Sequence, residues 1–242
     1  MMQWNQITRW TMRAGIVCLG VSALVAPPAL AARRILFMPP GGSAPRETKG
    51  GAARGDIACA TTPSREAAQL ILLTPRTASV GLTTSERPTF LAYVPPTSAK
   101  QALLNLKDAQ GRSHYRQIIA LPQQGGIVRI ALPHSAPPLQ LNQLYEWGVV
   151  LLCGGKLRAD SPFAIATIQR TMLPEVLSRR LAKQPLIEQT AIYAENGVWY
   201  DMLSNLAELK QQKPQDQTAA QAWTRILTTA GLTKISSAPI VD

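Results

Sequence analysis

The chain has 242 residues and carries 25 Lys and Arg against 14 Asp and Glu, a net charge of +11. Such an excess favours polyanionic partners, such as acidic polysaccharide or anionic lipid. The basic residues are spread along the chain and do not interleave with aromatics, so nucleic acid is not an expected partner.

The first segment reads as a secretory leader. Arg9 and Arg13 supply a positive start, residues 14–26 an apolar run, and Ala29-Leu30-Ala31 a small-x-small cleavage pattern. The run stops at Pro27-Pro28, short of the roughly 20 residues a spanning helix needs. A cleaved signal peptide over 1–31 is therefore expected, with a retained anchor as the alternative, and no transmembrane segment in the mature chain. The expected location is the periplasm or the cell exterior. Cleavage removes two Arg and no acid and leaves an excess of +9.

Export sets the redox chemistry of the two cysteines that remain, Cys59 and Cys153. In an oxidising compartment they read as one disulfide, the alternative being two buried thiols. Two Cys and the distant His114 and His134 lack metal-ligand spacing, so neither a metal nor another cofactor is expected.

Residues 32–56 are rich in Pro, Gly and basic side chains and show neither period two nor period 3.6. They predict a flexible arm. From 57 to 170 the pattern becomes short alternating runs. Residues 89–94 alternate up to Pro95-Pro96; 103–107 lead through Asp108-Ala109-Gln110-Gly111 into 115–121; and Val128, Ile130 and Leu132 oppose Arg129. The run 145–153 is apolar on one face (Tyr145, Trp147, Val149, Leu151, Cys153) and largely apolar on the other, as a central strand requires. Short strands bounded by Pro and Gly predict an antiparallel β-sandwich, Ig-like in the loose sense.

After Arg170 the period turns helical, so the class is α+β, with a small α-helical subdomain over 171–235 and a tail over 236–242. Leu173, Val176, Leu177, Arg180 and Leu181 predict one helical face. Residues 186–195 form a second helix stopped at Asn196-Gly197. A third, over 198–211, turns Trp199, Met202, Leu203, Leu206 and Leu209 inward. Asp216 caps a fourth, with Ala219, Trp223, Ile226, Leu227 and Ala230 as its stripe and Gly231 at its end.

Two resemblances follow from these stretches. Tyr193, Gly197, Trp199 and Pro214 resemble one tetratricopeptide-type hairpin. Gly81-Leu82-Thr83-Thr84-Ser85-Glu86-Arg87-Pro88-Thr89-Phe90, Gly126-Ile127-Val128 with Leu132-Pro133, the Tyr145-x-Trp147 strand with Cys153, and 194–201 together resemble an exported cyanobacterial family known as a domain of unknown function, DUF928. That resemblance implies an extracytoplasmic protein and carries no activity.

Candidate chemistry is sparse. Glu195 and Asp201 flank Trp199-Tyr200 and form the best carboxylate pair for glycan hydrolysis, although helical periodicity and the first-turn preference for acids also account for them. Glu86-Arg87 forms a candidate recognition loop. The preferred expectation is a non-enzymatic binding or scaffolding protein for a protein or envelope component. Its surface would lie at Glu86 and Arg87 or around Tyr193, Trp199, Tyr200 and Trp223. The alternatives are a cell-envelope glycan hydrolase and a basic module for anionic polysaccharide or lipid.

Overall fold

The computed structural model describes residues 35–40, 50–51, 59, 61, 69–75, 78–122 and 124–241, all within one unit, Ala32–Asp242. The expected leader and most of the expected arm lie outside the described residues. Among the described residues, ten strands form two sheets. The larger contains β1 (Gly50–Gly51), β3 (Gly81–Thr83), β5 (Gln101–Asp108), β6 (Ser113–Ala120), β8 (Leu144–Leu151) and β9 (Phe163–Arg170). Its order is β1-β9-β8-β5-β6, with β3 on the same edge of β9 as β1 but at the opposite end. The smaller contains β2 (Ile71–Leu72), β4 (Thr89–Val94), β7 (Gly126–Ala131) and β10 (Ile240–Val241), in the order β10-β7-β4-β2.

The class is α+β, but the expected purely antiparallel arrangement is corrected. β3 runs parallel to β9, and β10 parallel to β7. Both are two- or three-residue strands delivered by long connections, and local alternation carries no signal for such pairings.

Strand β8 lies between β5 and β9, as its two apolar faces require. Register aligns Leu106, Trp147 and Ala166 in one row and Leu104, Val149 and Ala164 in the next, all buried. Across the inter-sheet space, the Phe90 ring of β4 stacks on Trp147 with centroids 4.3 Å apart.

Four helices follow: α1 (Glu175–Leu181), α2 (Leu186–Glu195), α3 (Trp199–Gln212) and α4 (Gln217–Thr229). Asp216 accepts from the amides of Thr218 and Ala219, and the α4 stripe is buried as its spacing predicts. Trp223 donates to Ser236 O at 3.0 Å while Lys210 lies over its ring. The expected inward face of α1 is corrected. None of its residues is buried, and Val176 is 76% exposed. It packs weakly on α2, and of its residues Leu177 and Leu181 are half-covered.

Two pieces of the expected free arm are held in place. Ile35 is buried, Phe37 meets Trp199 edge-on, and Met38 N donates to Ala194 O at 3.0 Å. This approach explains Gly197: at φ 68°, a Cβ there would lie 2.9 Å from Met38 O. Gly50 and Gly51 pair with the start of β9.

Cys59 and Cys153 form a disulfide, with Cα atoms 5.5 Å apart. Thr97 Oγ1 and Ser98 N both donate to Cys59 O, so the bridge ties the foot of β5 to the end of β8. It closes a 94-residue separation, for which chain entropy gives about 4–5 kcal/mol. Cys153→Ser is expected to lower unfolding free energy by that order. Urea titrations of the variant and of the parent with and without reductant check it: only the parent should respond to reductant.

Candidate functional site

The segment from Gly81 to Phe90 is a strand, a polar turn and a second strand. It meets the first turn of α3, where Trp199, Tyr200 and Asp201 follow one another. Successive helical residues point about 100° apart, so these three side chains reach three different parts of the fold. Each carries a polar group that must find a partner once buried.

Trp199 Nε1 donates to Leu73 O at 2.8 Å, in the chain that follows β2. Tyr200 OH accepts from Trp147 Nε1 at 2.7 Å, and burial pushes this phenol far up. The Tyr200 ring lies so close to β3 that a Cβ on Gly81 would sit 2.5 Å from it. Asp201 Oδ2 accepts from Thr83 Oγ1 at 2.7 Å and Thr84 N at 3.2 Å, and Oδ1 accepts from Thr84 Oγ1 at 2.7 Å. Burial raises the Asp201 carboxyl above its ordinary value, against the lowering effect of the Thr83 and Thr84 hydrogen bonds. Tyr193, half-buried on α2, meets the Thr84 side chain; burial and the nearby Asp201 charge raise its phenol.

The turn itself is held from below. Ser85 N donates to Thr83 Oγ1 and Arg87 N to Ser85 Oγ. Arg87 Nε donates to Ala136 O at 3.0 Å, while Leu139 N donates to Glu86 O at 2.9 Å. Glu86 Oε1 lies 3.0 Å from Arg170 NH2, whose NH1 in turn donates to Leu139 O. Arg87 is thus anchored on a carbonyl, and the carboxylate of the turn reaches the end of β9.

These findings redistribute the candidate residues. Trp199, Tyr200 and Trp223 are buried, at no more than 1% exposure, and belong to the core. Their expected role as a binding surface is corrected, because ring faces packed in this way meet no partner without unfolding. Tyr193 is half-covered, Glu86 remains exposed and Arg87 is partly so. Glu195 is exposed at the end of α2, whereas Asp201 is half-buried with both oxygens occupied. Thr83, Thr84, Arg170 and Gly81 complete the cluster and were not singled out as site residues. Among the described residues, no group of three or more His, Cys, Asp and Glu is placed to hold a metal. No described helix is long and apolar enough to cross a membrane.

The cluster joins the two stretches, 81–90 and 199–201, that resemble the family's signature. A family model described as Domain of Unknown Function (DUF928) matches residues 49–240. The chain belongs to the DUF928 family. A search of curated proteins found no match to it. In this DUF928 domain the signature is a clasp: Gly81 admits Tyr200, Thr83 and Thr84 hold Asp201, and Glu86 secures Arg170.

Asp201→Ala would leave the buried Thr83 and half-buried Thr84 hydroxyls without acceptors, at about 1–3 kcal/mol. Its raised pKa means that the folded chain holds the proton more tightly than the unfolded one. The associated stability is fully present below the ordinary value of 3.8 and is lost as pH rises through the folded value. Urea titrations across this window should show that slope in the parent and its absence in Asp201→Asn.

Proposed function

We propose that this DUF928 protein is exported and acts as a non-enzymatic binding or scaffolding module. Its two mixed sheets would form a sandwich-like scaffold, and its helices a buttress against β3 and β4. The observation that carries this reading is the use of Asp201. The acid that best suited catalysis is enclosed by Thr83 and Thr84, and its aromatic neighbours are core. What faces solvent is a net positive surface with some apolar side chains, which suits recognition more than bond cleavage. The disulfide agrees with an oxidising compartment, and exported stability is its natural use.

The test compares parent, Glu195→Gln and Asp201→Asn. Crosslinking in the native envelope is expected to capture the same neighbours with all three, and purified envelope glycan is expected to stay intact. Reducing ends released by the parent and not by the variants would overturn the reading.

A further inference from the structure

The outer face of the larger sheet, turned away from Trp147, changes character along its strands. Near the β5–β6 turn it obeys the usual rule that a face in water is polar. Ser113, Lys107, Glu146 and Thr167 lie there in one cross-strand row, with Lys107 and Glu146 paired at 4.0 Å. Two rows on, at the other end, register aligns Ile118, Leu103, Val150 and Phe163. Four strands at about 4.8 Å spacing make this apolar row roughly 14 Å wide. Ile118 is 59% exposed and Phe163 36%, while α3 packs on β3 and β4 instead. Ile165 extends the row by one neighbour, lying against Gly148, where a Cβ would press on it.

The connection that joins β8 to β9 leaves from this same end. It exposes Leu157 to 63% between Lys156 and Arg158. Lys100, at the foot of β5, is also exposed there, and Arg116 lies in the adjacent row. Asp160, bound to Arg158, is the one acid in this connection. The polar end pairs Lys107 with Glu146 and Arg112 with Asp108; among the described residues, the apolar end sets Lys100, Arg116, Lys156 and Arg158 against Asp160 alone.

We propose that this end of the outer face docks on an anionic lipid surface, with Leu157, Ile118 and Phe163 entering the interfacial zone and Lys156, Arg158 and Lys100 meeting the headgroups. This rests on the reading of the protein as a binding module and names its partner. A second copy on the same face would bring like charges together, whereas an anionic surface is complementary to them. An exposed Leu flanked by two cations suits an interface where apolar atoms sink and long basic side chains remain at headgroup level.

The experiment is sedimentation of the disulfide-intact chain from residue 32 onward with vesicles of phosphatidylcholine alone or mixed with phosphatidylglycerol. Binding is expected only to the mixed vesicles and is expected to collapse at 1 M salt, where the screening length falls to about 3 Å. Leu157→Glu with Ile118→Glu should weaken it at least tenfold, and Lys156→Ala about fivefold, with far-UV dichroism unchanged. No binding to mixed vesicles, or equal binding by the Glu variants, overturns the proposal. So does a dimer in sedimentation velocity that Ile118→Glu dissolves, because a second copy would then be the occupant. Envelope neighbours captured without vesicle binding overturn this inference alone, whereas glycan hydrolysis overturns the reading in the preceding subsection.

Discussion

Three consecutive side chains at the start of α3 hold the helical part to both sheets. Trp199 reaches the carbonyl of Leu73, Tyr200 the indole of Trp147, and Asp201 the hydroxyls of Thr83 and Thr84. Each of these contacts joins residues more than fifty positions apart in sequence. None forms by local propensity, and each leaves a buried polar group unsatisfied if it fails. The junction is therefore close to all-or-none: α3 must arrive with the right rotation for all three partners, or it loses several at once. Such a set specifies one docking geometry more sharply than apolar burial alone, because a Leu tolerates a rotated neighbour and a carboxylate with both oxygens hydrogen-bonded does not.

The clasp does not act alone. At the end of β9 the Glu86–Arg170 pair and the carbonyls of Leu139 and Ala136 secure the long connection between β7 and β8. The disulfide fastens the opposite end of the same sheet, beyond Leu151. Eight-residue strands separate the two fastenings by roughly 25 Å. Covalent and polar constraints thus sit at the two ends, and the stacked Phe90 and Trp147 fill the middle. The ion pair is partly exposed and on its own contributes little; its worth lies in the carbonyls that Arg170 and Arg87 satisfy around it.

Much of this was legible in the residues. Alternation places β4 at 89–94 to the residue, and the doubly apolar 145–153 run marks the central strand. Asp216 and Gly231 mark the ends of α4, and the pair of cysteines beyond the expected leader favours the bridge that forms. The illegible parts share one physical cause. β3 and β10 are held by partners 87 or more positions away, and two or three residues show no period. The same distance hid the clasp: Asp201 beside Trp199 and Tyr200 looks like a sugar subsite until Thr83 and Thr84 are brought against it. Helix α1 misled differently, since five apolar or amphipathic positions promised a buried face where too little of the fold lies beneath them.

A fold that uses Trp147, Trp199, Tyr200 and Asp201 for its own junctions leaves its exterior to distinguish it. On the outer sheet face the two ends differ in kind, one polar and ion-paired, the other apolar and cationic. Stability does not demand this difference, because Ile118 and Leu157 gain little from water-exposed positions and a polar residue would serve the strand as well. Nor does the inner packing dictate it, since outward side chains touch none of the core rows. The asymmetry gives the molecule a direction. The disulfide anchors the connection that bears Leu157, so the least restrained apolar side chain of this end stands on a covalently fixed base. A rigid base beneath an exposed apolar tip lowers the ordering cost of any contact made there, and this links the covalent framework of the fold to whatever surface it meets.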